Sequence, residues 1–338
     1  MTSIETLGID LGKRSLHVIG WDEGEQQIKK AKFSRNKLLE FIAQLPPCTV
    51  AMEGCAGAHW LARKCQSSGH KVKLLPAQFV KPYVKSNKND YIDAEAICEA
   101  SRRPRMRFIQ IKNEQQQLIS AWCRIREGYV VQKNATSNKI HAFLLEFGVP
   151  QAKGKKTLNH LPELLEDANV SIPDALRVVL DTLYQDYKAL KGQIQQVERH
   201  LAELLKTEPV AQRLQEIPGV GLITSALLIA KVGDGRQFKS ARDMAAWIGL
   251  VPRQHSTGGK DTLLGISKRG NSQLRRCLIH GARSVIQWHQ GRTDLWSGWL
   301  QRLKAHKAAN IVCCALANKL ARIAWAIMTS GQRFKVMA

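Results

Sequence analysis

With 338 residues, 44% of them hydrophobic, the chain is too long for one ordinary domain and too apolar to be disordered. Its 51 Lys and Arg against 28 Asp and Glu give a formal net charge of +23, and residues 251–338 alone hold 15 Lys or Arg against Asp261 and Asp294, a concentration that marks a polyanion binder. No apolar run approaches membrane-spanning length and the N-terminus lacks a signal-peptide pattern, so a soluble, cytoplasmic protein with no membrane partner is expected.

Glu5 to Ile9 is short and apolar-rich, and reads as a buried strand that delivers Asp10 within Leu7-Gly-Ile-Asp10-Leu-Gly12. Ser15 to Trp21 and Lys29 to Phe33 read as strands joined at an Asp22-Glu-Gly24 turn, which makes the first three strands a meander. Asn36 to Gln44 reads as a helix, Cys48 to Met52 as a strand ending at Glu53, Ala58 to Ser67 as a helix and Lys71 to Leu75 as a further strand. Asp90 and Asp93 open a run of good helix formers, and a spacing of three puts both carboxylates on one helix face. Three leading strands followed by alternating helix and strand is the order of a ribonuclease-H-like α/β layer, here residues 1–110.

The pattern from about Glu114 to Leu205 is helical, giving a helical domain over residues 111–206. Leu180, Leu183, Tyr187, Leu190, Ile194, Val197, Leu201 and Leu204 alternate steps of three and four, a heptad seam that fits a coiled coil or a long helical hairpin. An amphipathic helix packed on its own domain has the same period. Gln151 to Lys156 reads as a solvated basic loop.

A third, mainly helical domain covers residues 207–338. Near its start Ile217-Pro-Gly-Val-Gly221 precedes the apolar helix Leu222 to Val232. Such a turn either serves a tight interhelical bend or offers backbone N–H groups to a phosphate in the manner of a helix-hairpin-helix, which makes Gly219 and Gly221 candidates for nucleic-acid binding. Ser240 to Gly249 is a capped helix. The stretch Val251 to Lys260, running on to Asn271, reads as a loop that mixes small hydroxylated residues with cations. Ser256 is a candidate nucleophile there, and Arg253, Lys260, Lys268 and Arg269, with Arg275 and Arg276 beyond, are candidate phosphate contacts. Asn271 to Ala326 is helical; Trp288, Trp296, Trp299 and Trp325 read as core or interface anchors, and His255, His280 and His289 as structural residues or phosphate donors. Eight cysteines without a CxxC pair or zinc-like spacing read as reduced thiols, and no zinc is expected.

Taken singly, Asp10, Glu53, Asp90 and Asp93 read as solvated loop residues or helix caps. As a set they are acids at the ends of two buried strands and the start of one helix, costly to bury without a counter-ion. Clustered carboxylates resist ionisation unless cations neutralise them, and hard divalent ions held by oxygen can flank a scissile phosphate. In so basic a chain, that combination points to metal-assisted phosphodiester chemistry.

The ordered acids, the helical middle, the Ile-Pro-Gly-Val-Gly turn, and above all Pro252-Arg-Gln-His-Ser-Thr-Gly-Gly-Lys260 with Leu264-Gly-Ile-Ser-Lys-Arg-Gly270 resemble the DEDD transposases of the insertion-sequence-110 family. They look closest to its insertion-sequence-1111 branch, which is related to Piv-type DNA invertases; the resemblance runs from Leu7 to about Ser330. It implies a RuvC-like N-terminal domain, a helical coiled-coil insertion and a C-terminal transposase domain carrying a serine. By the same resemblance Asp10, Glu53, Asp90 and Asp93 are ligands of Mg²⁺ (or Mn²⁺), and Ser256 attacks DNA to form a transient phosphoserine link. Counting back from Ser267 favours Ser256, whereas counting forward from Pro252 favours Thr257. The resemblance further implies donor and target double-stranded DNA as substrates, a guide non-coding RNA (bridge RNA or seekRNA), a homodimer assembling into a homotetramer, and a nucleoid-associated location in a bacterial cytoplasm. Three rival readings are a RuvC-like junction endonuclease that activates water, an actin- or sugar-kinase-like ATPase suggested by Gly-Ile-Asp-Leu-Gly-Lys, and a non-catalytic nucleic-acid binder.

Overall fold

The computed structural model describes residues 3–85, 89–152, 154–288 and 297–335. They fall into two compact units, residues 1–114 and 115–338.

The first unit is built on a five-stranded mixed sheet of order β3-β2-β1-β4-β5. Strands β1 (Thr6–Leu11), β2 (Leu16–Trp21) and β3 (Gln27–Phe33) form the antiparallel meander, while β4 (Thr49–Glu53) and β5 (Lys71–Leu75) continue the sheet in parallel on the other side of β1. Edge strand β3 carries Lys29, Lys30 and Lys32, charges that discourage pairing with another chain. Helices α1 (Arg35–Gln44) and α2 (Ala58–Ser67) cover one face, burying Leu38, Ile42, Leu61 and Cys65 against Leu7, Ile9, Val18, Val50 and Met52. The short α3 (Ala77–Val80) leads towards α4 (Asp90–Arg102), which covers the opposite face with Ala94, Ile97, Cys98 and Ala100. Arg102 fixes the far end of α4 by donating to Asp22 O at 3.1 Å and Glu23 O at 2.9 Å in the β2–β3 turn.

The second unit is almost wholly helical. Its two longest helices, α5 (Glu114–Glu146) and α8 (Asp174–Lys206), are joined through the short α6 (Lys155–Asn159) and α7 (Leu161–Glu166). They run antiparallel: Trp122 stacks on His200 with ring centroids 4.8 Å apart and Arg126 donates to Glu198 at 2.7 Å, whereas further along α5 Ile140 and Leu144 share a cluster with Leu176 and Leu180. The heptad seam therefore faces its own chain, with Leu180, Tyr187, Ile194, Val197 and Leu201 all buried. Of the two arrangements the period fits, a coiled coil or a long helical hairpin, the chain adopts the hairpin; the seam is buried within one chain and lends no support to a dimer.

Helices α9 (Pro209–Gln215), α10 (Leu222–Val232), α11 (Ala241–Ile248), α12 (Ser272–Trp288), α13 (Ser297–His306) and α14 (Ala309–Ser330) complete this unit. One core joins Ile119, Cys123, Val197 and Leu201 to Leu227, Met244, Leu278, Leu316 and Leu320, so it runs from the long helices into the C-terminal ones without a break. The expectation that no apolar run nears spanning length is corrected by α14, whose 22 residues are long and apolar enough to cross a membrane. Lys319 and Arg322 interrupt the run in sequence, and half of its most apolar stretch is buried, with Val312, Leu316, Leu320 and Ala324 in the core of the unit. Trp299 and Trp325 pack against that core, but Trp288 is 78% exposed and is no core anchor; Trp296 and His289 lie outside the described residues.

Between α11 and α12 the expected loop is instead an exposed hairpin, β6 (Pro252–Thr257) with β7 (Lys260–Ile266). Gly258 at φ 55° and Gly259 at φ 77° form its two-residue turn. Positive φ at both positions is the type I′ geometry whose twist matches the flanking strands.

Candidate active site

Strand alternation sorts the side chains of the first unit. Leu7 and Ile9 on β1, Leu16 and Val18 on β2, and Val50 and Met52 on β4 point into the core beneath α1 and α2. Their neighbours Gly8 and Asp10, His17 and Ile19, and Ala51 and Glu53 therefore face α4. Helix α4 lies close to β1 because residue 8 is glycine: a Cβ there would stand 2.4 Å from Ala94 O and 2.6 Å from Cys98 Sγ. The helix begins at Asp90 because the Asn89 side chain caps it, accepting from Tyr91 N at 3.0 Å. Its first turn thus presents Asp90 and Asp93 to the strand ends that carry Asp10 and Glu53.

Electrostatics shows how tightly these acids are grouped. Burial raises the Asp10 carboxyl above its ordinary value, the charges of Asp93, Asp90 and Glu53 raise it further, and His17 opposes the rise. Glu53 is raised by burial and then by Asp93. Carboxyls that resist ionisation because they crowd one another suit divalent cations, and the donor set is the oxygen-rich one that Mg²⁺ or Mn²⁺ accepts. One neighbour was absent from the sequence reading. His17 is the cross-strand partner of Asp10, and ligand atoms of Asp10, His17 and Asp90 all lie within 4.8 Å of one another.

Ser256 lies on β6, in the second unit, opposite Asp261 on β7. Its Oγ donates to Asp261 Oδ1 at 2.5 Å, and Gln254 Nε2 donates to both Ser256 Oγ at 2.8 Å and Asp261 Oδ1 at 3.1 Å. The hydrogen bonds from Ser256 and then Gln254 hold the Asp261 carboxyl below its ordinary value. Thr257 pairs with Lys260 instead, and alternation turns it to the other face of the ribbon.

The chain matches the transposase family described as IS116/IS110/IS902 over residues 211–296 and the DEDD transposase domain of IS110 over residues 7–149. It is 46% identical over 334 residues to the transposase for insertion sequence element IS1328 of Yersinia enterocolitica, covering 99% of each chain. With the transposase for insertion sequence element IS1111A of Coxiella burnetii it shares 40% identity over 336 residues, 99% of this chain and 92% of that one. The chain belongs to the IS110 family of transposases. As an insertion-sequence transposase it is an enzyme that cuts and joins DNA. A more distant similarity, 24% over 293 residues covering 82% of this chain and 79% of the other, is to the pilin gene-inverting protein of Moraxella lacunata.

The stretch of the transposase matched as a DEDD domain contains all four acids, and the second matched stretch contains Ser256. Of the cations expected at phosphate, Arg253, Lys260, Lys268 and Arg269 are exposed on the hairpin and the turn after it. Lys268 holds a left-handed backbone at φ 55°, where its N–H donates to Gly249 O at 3.2 Å. Two others have partners inside the protein: Arg275 donates to Ile248 O at 2.8 Å and Arg269 O at 3.1 Å, and Arg276 pairs with Glu127. Gly219 has a packing reason for its identity, because at φ 86° a Cβ there would stand 2.8 Å from Gly281 O on α12. Gly221, the residue before α10, has no such neighbour.

Proposed function

We propose that this transposase joins DNA through a serine-linked intermediate, with Asp10, Glu53, Asp90 and Asp93 holding Mg²⁺ or Mn²⁺ at a RuvC-like domain over residues 1–110. The observation that carries the reading is the grouping of those four carboxylates, from two strands and one helix, at one end of a sheet. Bound there, divalent ions supply charge neutralisation for the scissile phosphate and lower the cost of ionising a nucleophile.

The remaining roles belong to the chain's own side chains. Ser256 Oγ attacks phosphorus, the new Oγ–P bond replaces the P–O bond to a deoxyribose oxygen, and the released oxygen takes up the proton given up by the serine. Asp261 accepts from the Ser256 hydroxyl and orients it, which favours Ser256 over Thr257 as nucleophile. Arg253, Lys260, Lys268 and Arg269 offset the charge that develops on the phosphoryl oxygens, and Gly221, Arg275 and Arg276 add contacts to nucleic acid. Because the link conserves the phosphodiester bond energy, rejoining to a second strand needs no nucleotide cofactor. The helical residues 111–206 and the transposase domain 207–338 hold a guide non-coding RNA that pairs with donor and target duplexes, and dimers assemble into a tetramer so that acids and serine of neighbouring subunits meet on one phosphate.

Trapping tests the chemistry. A nicked suicide duplex incubated with Mn²⁺ is expected to give a denaturation-resistant protein–DNA adduct that persists in Thr257→Val and vanishes in Ser256→Ala. Cleavage that continues in Ser256→Ala without an adduct would assign water as the nucleophile and a junction-endonuclease mechanism. Sequencing the RNA that co-purifies tests the guide: recombination by an RNA-free preparation would remove it from the scheme.

A further inference from the structure

Strand β2 reads Leu16-His-Val-Ile-Gly-Trp21 and is buried along its whole length, so a histidine in its second position has to be satisfied there. The His17 side chain is 8% exposed, and its Nδ1 makes no hydrogen bond although Asp90 Oδ2 lies 3.3 Å away. The ring is held edge-on against Tyr91 of α4, with centroids 4.8 Å apart and planes at 76°, so it is aimed at the start of that helix and cannot turn to find another acceptor cheaply. A buried ring nitrogen without a hydrogen bond, pointing into a group of carboxylates, is the arrangement expected of a metal ligand. The spacing also fits: two donors at about 2.1 Å on adjacent positions of one octahedral ion stand roughly 3 Å apart.

We infer that His17 Nδ1 is a nitrogen ligand of the ion bound by Asp10 and Asp90, and that it biases the site towards Mn²⁺, or another first-row transition ion, over Mg²⁺. The inference rests on the acid cluster being a metal site, as proposed above. Imidazole is a good ligand for transition ions and a poor one for Mg²⁺, which keeps to oxygen and water. An all-carboxylate site has no such bias. No bond to substrate is assigned to His17; it acts through the ion.

Electron spin echo spectroscopy of the full-length protein with bound Mn²⁺ reads the nitrogen directly. In the unmutated protein we expect ¹⁴N modulation that converts to the ¹⁵N pattern when histidine alone is ¹⁵N-labelled, a measurement that needs no variant to fold. In His17→Phe the modulation should be lost, Mn²⁺ affinity by titration should fall about 10–100-fold, and Mg²⁺ affinity should fall less. If Mn²⁺ binding disappears in Asp10→Asn but the unmutated protein shows no histidine nitrogen, the acid site stands and the role of His17 is overturned. If Asp10→Asn binds Mn²⁺ as well as the unmutated protein does, the metal-site reading itself is overturned. Should His17→Phe fail to fold by circular dichroism, His17→Gln carries the assignment, and retained ¹⁴N modulation in it would reject His17 as the ligand.

Discussion

Gly8→Ala tests whether the contact between β1 and α4 sets the geometry of the acids. The added methyl would stand 2.4 Å from Ala94 O and 2.6 Å from Cys98 Sγ, both on α4. The carbonyl is helix backbone and cannot rotate away, so α4 must retreat by roughly 1 Å to restore an ordinary contact. Overpacking of this kind costs about 1–3 kcal/mol, which for a unit of this size lowers its melting temperature by roughly 5–15 °C. The same displacement carries Asp90 and Asp93 away from Asp10 and Glu53. A misplacement near 1 Å can cost about 10²-fold in rate, so strand cleavage should fall by that order even well below the new melting point. Calorimetry and single-turnover cleavage measure the two effects. Gly128→Ala in α5 is the control, since a Cβ there meets nothing within 4 Å and the change should stabilise its helix by up to about 1 kcal/mol with cleavage intact. Unchanged cleavage in a destabilised Gly8→Ala protein would show that the spacing of strand and helix does not govern the chemistry.

Metal-free stability should depend on pH through the acids. Because Asp10 and Glu53 are raised, their contribution is fully present below the ordinary carboxylate pKa and is lost as the pH rises through the raised values. In EDTA at pH 7, Asp10→Asn should therefore melt higher than the unmutated protein, with the difference closing as the pH falls towards about 4; a lower melting temperature would contradict the crowding described here. For Asp261 the sign is opposite: its lowered carboxyl stays charged to lower pH than an ordinary aspartate, and Ser256→Ala should move its titration upward by ¹³C NMR. Leu201→Ala should cost about 2–5 kcal/mol in denaturant unfolding while leaving the sedimentation-derived oligomeric state unchanged, because this seam residue is 0% exposed within one chain. The double change Arg253→Ala, Lys260→Ala should reduce the slope of log affinity for duplex DNA against log salt by about 2 if both cations contact phosphates.

The acids were legible because their placement follows from local rules: a buried strand ends where its apolar run ends, and a helix starts at its cap. His17 was not, since one histidine inside Leu-His-Val-Ile has the same local signature as a core residue. Only the register of β1 against β2, which sets it opposite Asp10, gives it a different meaning. The hairpin had its signal in Thr257-Gly-Gly-Lys260, the two-residue pattern of a type I′ turn, but polar strands without an apolar face lack the alternation that marks a sheet. The heptad seam was plain in sequence, yet a period records only that one face is apolar and is silent on whether the covering helix belongs to the same chain. Asn271 to Ala326 reads as helical, but the apolar length of α14 is hidden in sequence because Lys319 and Arg322 divide its run.

The two sets of residues differ in how firmly the fold holds them, and that difference bears on control of the reaction. The acids project from a packed α/β layer whose strands β1, β2 and β4 are largely buried on both faces, so their mutual spacing is inherited from a rigid core. Ser256 stands on a two-stranded ribbon with every residue of β6 exposed and with Leu263 69% exposed on β7. A ribbon that buries so little has marginal order of its own and gains it from what it touches. In the protein alone, the Ser256 hydroxyl is engaged by Asp261 and receives a hydrogen bond from Gln254, a closed polar group with no outside partner required. On the serine mechanism proposed above, Asp261 holds the hydroxyl ready for attack, and DNA seated against the exposed cations of the ribbon supplies both the phosphate and the order. On that proposal, acids held by a packed core combined with a serine on a ribbon that DNA orders make cleavage conditional on bound DNA, a safeguard for an enzyme that cuts and joins DNA.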